Sequence, residues 1–332
     1  MNTDKKSDVL IIGAGIAGLM CATRLQENGA DVQLIDKGRN YGGRMATRQF
    51  DGATFDHGAQ FFTVREHMFQ HYVDQWDASG VIDVWFDTLS GGDSRHPRWY
   101  APKGMNSLPR HIAQSLTTDL STKATRIHRI ENEWVVCCEN EISYRAKQLV
   151  VTTPAPQTLE LFKQSNIDLP SQLRSPLEDV RYEKGLAMLL RLSSPSQLPA
   201  PGCKQFNHPS VAWIADNQIK GISNQPALTV HTTAMFASNI WDEPTENKIS
   251  LVTDELAHLV KLSVKSAQVH RWGYTMPVNP ISERSLTCPD LQLTIAGDAL
   301  GGPRVEGSAC SGLSAAEQII QTVATHKCHS TA

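Results

Sequence analysis

The stretch Asp8 to Gly18, DVLIIGAGIAG, carries the clearest structural signal in this chain. Its aliphatic run, Val9 to Ile12, is typical of a buried parallel strand, and the glycines after it have the G-x-G-x-x-G spacing of a dinucleotide-binding loop. Ala17 to Asn28 has helical periodicity, and Val32 to Ile35 is a second apolar strand. This order predicts a Rossmann-like unit. The loop alone leaves open a nicotinamide cofactor, a flavin dinucleotide or a simple turn.

Each glycine of the loop has its own physical role. Gly13 permits the tight turn, Gly15 lets the main chain approach a pyrophosphate, and Gly18 allows the helix to pack closely on the strand. The helix that follows offers free N–H groups and a partial positive charge to phosphates. Asp36 ends the second strand, where a carboxylate can accept hydrogen bonds from ribose hydroxyls. A glycine turn followed by a surface aspartate is the alternative, and the surrounding strand and helix favour dinucleotide binding.

Length and composition restrict the class of protein. A chain of 332 residues favours two domains, or one domain with a large insertion. A net charge of -3 with 20% charged residues indicates a soluble globular protein with no basic stripe for nucleic acid. Because there is no secretory signal pattern and no long apolar span, we expect a cytoplasmic protein without a membrane partner. The seven cysteines lack zinc or C-x-x-C spacing, so we expect reduced thiols and no metal.

The strand and glycine pattern recurs near the C-terminus. Leu291 to Ala296 is a predicted strand that leads into Gly297-Asp298, and Ser308 to Val323 is a predicted helix. The middle of the chain instead shows extended runs around one helix, Thr245 to Val260. These runs are Gly185 to Leu192, Ser210 to Ala215, Ala227 to Ala237 and Ala267 to Trp272. A nucleotide domain assembled from separated pieces, with the middle inserted, fits this order.

Two further stretches separate a flavin dinucleotide from a nicotinamide cofactor. The run Lys37 to Met45 contains Gly42-Gly43-Arg44, and Arg304 to Ala309 follows the C-terminal Gly297-Asp298. A nicotinamide-binding domain needs neither segment. A longer cofactor lying across the fold needs additional main chain and a cation near its diphosphate, so the sequence favours FAD.

These motifs together resemble the flavin-dependent amine oxidase superfamily. Its pattern is an N-terminal G-x-G-x-x-G, an acidic residue ending the second strand, a Gly-Gly-Arg segment and a C-terminal Gly-Asp before a glycine-containing helix start. Within it, three runs resemble bacterial renalase-like FAD oxidases: Asp56 to Phe62 (DHGAQFF), Trp99 to Met105 (WYAPKGM) and Arg271 to Pro277 (RWGYTMP). The superfamily motifs span almost the whole chain.

The resemblance implies an α/β fold of two domains. One is an FAD-binding, Rossmann-like domain of the amine oxidase and p-hydroxybenzoate hydroxylase type, and the other is an inserted substrate domain with a mixed or antiparallel sheet. We predict a discontinuous FAD-binding domain of residues 1–62, 100–155 and 286–326, and a substrate domain of residues 63–99 and 156–285.

The resemblance also implies which positions contact FAD. These positions are Gly13, Gly15, Ile16, Ala17, Asp36, Lys37, Gly43, Arg44, Met45, Gln60, Phe61, Ile127, Asp298, Val305 and Ala309. The N-terminal glycines border the diphosphate, Asp36 the ribose, Ile127 the adenine through its main chain, Asp298 the ribityl chain and Val305 the flavin pyrimidine edge. Some family members attach the flavin to a cysteine. The corresponding run here, Trp272-Gly273-Tyr274, has none, so we expect non-covalent FAD.

The renalase resemblance implies a reaction. Such enzymes oxidise isomeric dihydronicotinamide dinucleotides, with the hydride at ring position 2 or 6, to NAD(P)+ and pass the electrons to oxygen as hydrogen peroxide. A dihydropyridine becomes aromatic when it loses hydride, so no strong base is needed and we assign no catalytic residue. Two alternatives stay open: an oxidase or dehydrogenase of amines or another small molecule, and a flavin-binding partner or sensor protein without turnover.

Aromatic and basic residues are the candidates for substrate contact. Those for the substrate pocket are His57, Phe62, Tyr100, Trp272 and Tyr274. Those for pairing with a substrate pyrophosphate are Arg181, Arg191, His231 and Arg271.

Overall fold

The computed structural model describes residues 4–87 and 96–329. The strands are β1 Asp4–Ile12, β2 Val32–Ile35, β3 Thr47–Phe50, β4 Ala53–Asp56, β5 Asp83–Phe86, β6 Arg98–Tyr100, β7 Thr117–Asp119, β8 Ala124–Ile130, β9 Glu133–Cys138, β10 Ser143–Val151, β11 Gly185–Leu192, β12 Cys203–Gln205, β13 Val211–Asp216, β14 Ala227–Thr232, β15 Val264–Trp272, β16 Leu286–Cys288 and β17 Leu293–Ile295. The helices are α1 Ile16–Glu27, α2 His67–Ala78, α3 Ser107–Ile112, α4 Ala155–Gln164, α5 Ser171–Asp179, α6 Ala234–Asn239, α7 Thr245–Ala257 and α8 Val305–His329.

The chain divides into two compact units. The first unit comprises residues 1–43, 109–181 and 277–332, and the second comprises residues 44–108 and 182–276. These bounds differ from those of the predicted domains. Residues 156–181 and 277–285, predicted for the substrate domain, lie in the first unit, and residues 44–62 and 100–108, predicted for the FAD-binding domain, lie in the second. The assignment of FAD to one domain and substrate to the other stays a prediction.

The first unit is built on a sheet of eight strands, six of them in the order β16-β17-β10-β1-β2-β7. The pairings of β1 with β2 and β10, of β10 with β17 and of β2 with β7 are parallel. The central strands are continuous apolar runs because a parallel sheet is covered on both faces. Leu10 and Ile11 of β1 are fully buried.

Close helix packing explains the small residues of α1 and α8. A Cβ at Gly312 in α8 would lie 2.0 Å from the carbonyl oxygen of Ala17 in α1, so only glycine allows this approach. The last helix begins at Val305, three residues before the predicted start. Helices α4 and α5, which the sequence patterns did not predict, each follow a proline at the N-cap position.

The second unit is built on an antiparallel sheet in the order β12-β13-β14-β11-β15. Side chains alternate between its two faces. One face, including Met188, Ile214 and Val230, packs in the apolar core beside α6 and α7. Leu189 and Ala227 on the other face pack against the β3–β4 hairpin. The predicted extended run to Ala237 was wrong in its last part, since Thr233 caps the new helix α6 by accepting a hydrogen bond from the N–H of Phe236.

The parallel Rossmann-like sheet and the antiparallel sheet confirm the predicted two-domain α/β fold class. The described cysteines are free thiols, and Cys310 is buried inside α8. Within residues 4–87 and 96–329, no helix has the length and apolar character needed to cross a membrane.

Candidate functional site

Four loops of the first unit follow the carboxyl ends of parallel strands. Gly13 follows β1, Asp36 follows β2, Thr152 follows β10 and Gly297 follows β17. These ends lie at one edge of the sheet, where open α/β sheets bind their ligands. We call these loops, with the first turn of α1 and Asp298, the glycine edge.

Two glycines of this edge are required by the fold itself. Gly13 has a φ of +114°, and a Cβ there would lie 2.4 Å from the Thr152 hydroxyl. A Cβ on Gly18 would lie 1.9 Å from the carbonyl oxygen of Gly13. Both positions therefore exclude side chains whether or not a ligand is bound.

Gly15 is different, and it fits a bound diphosphate. It is the N-cap of α1 and makes no side-chain capping bond, and a Cβ added to it would meet no atom within 4 Å. Protein packing therefore does not explain why a side chain is missing here. A helix start that lacks a side-chain cap and has open space above it suits an anionic phosphate group.

The structure fixes the carboxylate of Asp36 at the end of β2. Its two oxygens accept hydrogen bonds from the main-chain N–H groups of Ala14 and Gly38, each at 2.6 Å. Carboxylate oxygens have further lone pairs, so ribose hydroxyls can still donate to them. This rigid placement beside the glycine loop suits the predicted ribose contact.

The other adenosine-side candidates already have protein partners. The ammonium group of Lys37 donates to the side chain of Gln157 at 3.0 Å. The main-chain N–H of Ile127 donates to the hydroxyl of Ser165 at 2.9 Å, and its side chain is fully buried. An adenine contact through the Ile127 N–H would have to replace this bond.

The C-terminal candidates surround the start of α8. Gly297 has a φ of +134°, and its N–H donates to the hydroxyl of Ser311 in α8 at 2.8 Å. Asp298 is 4% exposed, and Ala309 is fully buried one turn after Val305 begins the helix. This bond holds the Gly297-Asp298 loop against α8, and the flavin contacts of Asp298, Val305 and Ala309 stay a prediction.

The second unit holds the remaining candidates. The guanidinium of Arg44 donates to the carbonyl oxygens of Tyr274 and Thr275 at 3.2 and 3.4 Å, and its own carbonyl accepts from the N–H of Ala59 at 2.9 Å. These bonds bring the Gly-Gly-Arg segment, the DHGAQFF run and the RWGYTMP run together. Met45, next in the chain, is buried.

Three aromatic side chains stack beside these segments. The ring centroids of His57 and His270 are 4.6 Å apart, and the ring of Trp272 lies 5.4 Å from His57 and nearly parallel to it. The indole N–H of Trp272 donates to the carbonyl oxygen of His57 at 2.8 Å. Of the predicted pocket residues, the structure therefore brings His57 and Trp272 into direct contact.

His270 belongs to a row that crosses the sheet. Trp213, His231, Ala187 and His270 are successive register partners on β13, β14, β11 and β15. Their sequence neighbours Leu186, Met188, Ile214 and Val230 occupy the opposite, apolar face, so the row shares the face of the hairpin. We call this row, together with Trp272, the imidazole face.

The histidines of this region are held neutral. Burial lowers the pKa of His57 to about 3, with smaller contributions from His270, Arg48 and His231. Burial likewise lowers the pKa of His231 to about 4, and it lowers the pKa of His270. Burial thus disfavours the charged form of His231, and the pairing of His231 with a substrate pyrophosphate stays a prediction.

The three arginines proposed for a pyrophosphate have separate surroundings. Arg191 donates to the carbonyl oxygen of Pro226 at 3.0 Å, and the guanidinium of Arg271 lies 5.5 Å from the ring of Trp241. Arg181, in the first unit, donates to the carbonyl oxygen of Glu178 at 2.7 Å. Within the second unit, Arg191 and Arg271 thus have different partners, and their pairing with a pyrophosphate stays a prediction.

A buried ion pair that the sequence patterns did not predict supports the DHGAQFF run. The ammonium of Lys220 lies 2.7 Å from the carboxylate of Asp56, and both side chains have no exposed surface. The same ammonium donates to the carbonyl oxygen of Gln60 at 2.6 Å and lies 4.6 Å from the ring of Trp85. A single lysine between Ile219 and Gly221 gives no sequence signal for this role.

The remaining aromatic candidates fall into two clusters. Phe62 is buried against Phe69 of α2, with ring centroids 5.9 Å apart. The ring centroids of Phe61 and Trp213 are 5.7 Å apart, and those of Tyr100 and Trp85 are 6.3 Å apart. Phe61 and Tyr100 thus belong with the imidazole face, whereas Phe62 contributes to the core around α2.

Several buried polar atoms of the second unit have no hydrogen-bond partner. Among the described side chains of the second unit, Nδ1 of His57, Oε1 of Gln60, Nε1 of Trp213 and Nε2 of His231 make no hydrogen bond. Buried polar groups in native proteins are almost always paired with protein, water or ligand. Within the described chain, no group of three His, Cys, Asp or Glu side chains is arranged to hold a metal ion.

The glycine edge on a parallel sheet, joined in one chain to a separate antiparallel unit, defines the class of FAD-dependent oxidoreductases with a two-domain fold. Sequence comparison agrees. A profile of NAD(P)-binding Rossmann-like domains matches residues 11–76, and a profile of flavin-containing amine oxidoreductases matches residues 77–320. The chain belongs to the flavin-containing amine oxidoreductase family.

Individual relatives show the same relationship. Renalase of Mus musculus is 27% identical over 301 residues, which cover 84% of this chain and 87% of the renalase. A 4,4'-diapophytoene desaturase of Staphylococcus aureus (strain MRSA252) is 33% identical over 89 residues, covering 24% of this chain and 18% of the desaturase. The structure of wild-type putrescine oxidase bound to putrescine has a TM-score of 0.70 at 12% identity, covering 95% of this chain and 99% of that one.

Proposed function

We propose that this FAD-dependent oxidoreductase oxidises isomeric dihydronicotinamide dinucleotides, which carry the hydride at ring position 2 or 6, to NAD(P)+. When bound, FAD accepts the hydride together with a proton and passes both electrons to O2, giving hydrogen peroxide. The similarity to renalase over most of both chains supports this substrate class.

The observation that carries the proposal is the neutral, aromatic character of the imidazole face. Imidazole and indole rings line it, and the ring of His57 packs against those of His270 and Trp272. Burial keeps the pKa values of His57 and His231 far below neutrality. A dihydropyridine needs a flat, dry surface that orients it and no base, because loss of hydride alone makes the ring aromatic. Stacking against His57 and Trp272 would supply the orientation.

The same face suits a cationic amine poorly. The carboxylate of Asp56, in the strand that packs nearest to it, is already neutralised by Lys220 at 2.7 Å. An ammonium substrate entering here would lose its hydration without gaining a counter-ion. An amine oxidase is therefore the second candidate, and the match to the flavin-containing amine oxidoreductase family supports it.

We propose that FAD binds without a covalent link. The proposed contacts are Gly13, Gly15, Ile16, Ala17, Asp36, Lys37, Gly43, Ile127, Asp298, Val305 and Ala309 from the first unit and Arg44, Met45, Gln60 and Phe61 from the second. The open space at Gly15 and the fixed carboxylate of Asp36 support the diphosphate and ribose contacts. Proposed substrate contacts are His57, Phe62, Tyr100, Trp272 and Tyr274, of which His57 and Trp272 have the strongest support.

Flavin bleaching in a single turnover tests the proposal. The purified holoenzyme is mixed without oxygen with the 6-dihydro isomer of NAD, with ordinary NADH and with a panel of amines including putrescine, and the oxidised flavin absorbance is followed. We expect the isomer to bleach the flavin fastest, with peroxide released when air is admitted. Faster bleaching by an amine would replace the proposal with the second candidate. Release of the flavin on denaturation with acid would establish the non-covalent link.

A further inference from the structure

A polar cavity opens at the edge of the antiparallel sheet, with walls from the end of β15 and the start of α7. Its volume is about 430 Å³, and its lining includes Thr245, Lys248 and Arg271. Pockets for small molecules have volumes of about 300–1,000 Å³. β15 is an edge strand, so no other described strand of the sheet covers its outer side. The cavity therefore has the size of a ligand site, and it lies entirely within the second unit.

The cavity contains a buried ammonium group without a counter-ion. Lys248 is only 3% exposed, and its ammonium donates a hydrogen bond to the main-chain carbonyl oxygen of Glu243. Among the described residues this carbonyl is its one partner, and no carboxylate there lies within ion-pair distance of it. An ammonium has three N–H donors, so the protein leaves most of this group unpaired. Because lysine is almost never buried without a partner, this group indicates an anionic ligand.

A second cation of the lining is held by an aromatic ring. The guanidinium of Arg271 lies 5.5 Å from the ring centroid of Trp241, and the ammonium of Lys184 lies 4.9 Å from the same centroid. Neither cation forms an ion pair within the described part of the chain. The ring positions the guanidinium of Arg271 and leaves its N–H donors available to a ligand.

The start of α7 adds partial positive charge to the same cavity. The helix has 13 residues, and its N-cap residue, Pro244, supplies no side-chain hydrogen bond to the first turn. The first N–H groups of a helix have no partner within the helix, and Thr245 of this turn lines the cavity. These N–H groups can donate to an anion that also contacts the unpaired ammonium of Lys248.

Acidic side chains do not neutralise these cations. Glu243 is the one acidic residue of the lining; it is exposed, and its carboxylate accepts a hydrogen bond from the side-chain amide of Asn247 at 3.0 Å. Within the described residues, Glu243 forms no ion pair with Lys248 or Arg271. The lining therefore carries more positive than negative charge, and Glu243 should oppose the binding of an anion.

We propose that this cavity binds a phosphate group, held by Lys248, Arg271 and the first turn of α7. A phosphate ester carries a charge of about −2 and three strong acceptor oxygens. It can therefore accept from an ammonium, a guanidinium and main-chain N–H groups at the same time. A carboxylate has two oxygens and a single charge, so it would satisfy fewer of these donors. The inference does not rest on the proposed function, because every group that carries it belongs to this cavity.

The phosphate has two sources: a free phosphate or pyrophosphate ion, or the pyrophosphate of a dinucleotide substrate. His270 lines the cavity and is also a member of the imidazole face, with its ring centroid 4.6 Å from that of His57. A dinucleotide whose planar ring stacks on His57 would therefore have the cavity beside it. The experiment distinguishes the two sources.

Binding of inorganic pyrophosphate to the flavin-loaded enzyme tests the inference. Loading with FAD prevents pyrophosphate from binding at the cofactor site, and isothermal titration calorimetry in phosphate-free buffer gives the dissociation constants. We expect Lys248→Met and Arg271→Met each to weaken pyrophosphate binding at least tenfold, because each removes a charged donor. Succinate, which carries carboxylates in place of phosphates, should bind the wild type at least tenfold more weakly than pyrophosphate does.

Lys204→Met is the matched control. Lys204 is an exposed cation 4.8 Å from the ring of Phe206, and it lies in β12, the opposite edge strand of the same sheet, outside the cavity. This variant loses the same charge and should bind pyrophosphate as the wild type does. Glu243→Gln removes the opposing charge and should tighten pyrophosphate binding about threefold.

The inference is overturned if the wild type does not bind pyrophosphate, or if succinate binds as tightly. It is also overturned if Arg271→Met, or a folded Lys248→Met, weakens binding no more than Lys204→Met does. Should Lys248→Met not fold, Arg271→Met decides the outcome, since Arg271 is exposed.

Titration of the same variants with NAD+ identifies the source of the phosphate. A parallel loss of NAD+ and pyrophosphate affinity supports the inference with a dinucleotide as the ligand. Unchanged or undetectable NAD+ binding, with pyrophosphate binding lost, supports it with a free ion as the ligand. An enzyme that binds pyrophosphate here yet does not oxidise the 6-dihydro isomer supports this inference and overturns the proposed function.

Discussion

The glycine edge of the first unit and the imidazole face of the second are built from different chemical groups. The glycine edge consists of main-chain N–H groups and of positions without side chains. Gly15 is an example, since a Cβ there would meet no atom within 4 Å. The imidazole face consists instead of side chains from four strands, and His231 is the register partner of Trp213 there. The Gly13 to Gly18 loop of the first surface is made by local sequence, whereas the second surface is made by strand register.

This difference indicates how each surface should respond to the substitution of a single residue. The main-chain groups of the Gly13 to Gly18 loop depend on glycines at Gly13 and Gly18, so a single Cβ at either of these two positions disrupts the loop. The groups of the imidazole face rest on a buried framework that includes Lys220 and Asp56, with no exposed surface on either side chain. The two surfaces should therefore fail in different ways when they are mutated.

The largest effect is expected at the glycine that the fold of the first unit requires. Gly18→Val would place a side chain 1.9 Å from the carbonyl oxygen of Gly13, which belongs to the main chain and cannot move aside. We expect a loss of more than about 3 kcal/mol in the free energy of unfolding, with little soluble protein. Urea denaturation of any soluble fraction checks this. A stable, flavin-loaded variant would contradict the close packing of α1.

The next largest effect is expected at the framework of the second unit. Lys220→Met leaves the carboxylate of Asp56 buried without a counter-ion, which should cost about 3–5 kcal/mol of unfolding free energy. Asp56 keeps the hydroxyl of Thr47 at 2.6 Å as a partner, so the lower figure is expected. The double variant Asp56→Asn with Lys220→Met should be more stable than Lys220→Met alone.

A surface lysine provides the control for this measurement. Lys204 is exposed and lies over the ring of Phe206. Lys204→Met should change the unfolding free energy by less than about 0.5 kcal/mol. If the two single variants are equally stable, the buried pair contributes nothing and the framework argument fails.

The same contrast explains what the sequence could predict. The Rossmann-like strand and helix order, the glycine loop and Asp36 are local in sequence, and the structure places them together at the ends of parallel strands. The register that sets His231 beside Trp213 pairs two residues that lie 18 positions apart along the chain. No spacing rule connects such residues. The role of Lys220 could not be predicted for the same reason, because its partner Asp56 lies 164 positions away in the sequence.

Helix α6 shows a second limit of the sequence pattern. Ala227 to Ala237 contains one apolar run, yet the strand ends at Thr232 and a helix begins at Ala234. The turning point is Thr233, whose hydroxyl caps the helix. A single threonine within an apolar run is a weak signal, and the prediction of a continuous strand was wrong for this reason.

Acid should destabilise the second unit through its neutral histidines. The pKa of His57 is about 3 in the folded protein against an ordinary 6.5, so the unfolded chain takes up a proton first as the pH falls. Above pH 6.5 the effect is absent, and it grows as the pH falls from 6.5 towards 3. Between pH 7 and pH 5, His57→Asn should lose about 2 kcal/mol less unfolding free energy than the wild type.

An exposed histidine of the same unit separates this effect from general acid destabilisation. His67→Asn, on the exposed surface of α2, should follow the wild-type dependence of unfolding free energy on pH. Urea denaturation at several pH values measures all three proteins. If His57→Asn and His67→Asn have the same pH dependence, His57 is not held neutral by burial.

The smallest effect on folding, and the sharpest test of the glycine edge, is expected at Gly15. A Cβ at this position meets no protein atom within 4 Å, and the backbone φ of -74° accepts any residue. Gly15→Ala should therefore leave the free energy of unfolding of the apoprotein within about 0.5 kcal/mol of wild type. If the space above Gly15 receives the FAD diphosphate, the added methyl group should weaken FAD binding at least tenfold, or about 1.4 kcal/mol.

Ala78→Ser is the control for this variant, because it also adds one heavy atom and Ala78 is exposed at the end of α2. FAD affinity is measured by titrating each apoprotein with FAD and following flavin fluorescence. Equal affinity in the two variants would mean that the open space at Gly15 is not the diphosphate site. Weaker FAD binding in Gly15→Ala alone, at unchanged stability, would show that the ligand requires glycine at this position. At Gly18, by contrast, protein packing requires glycine.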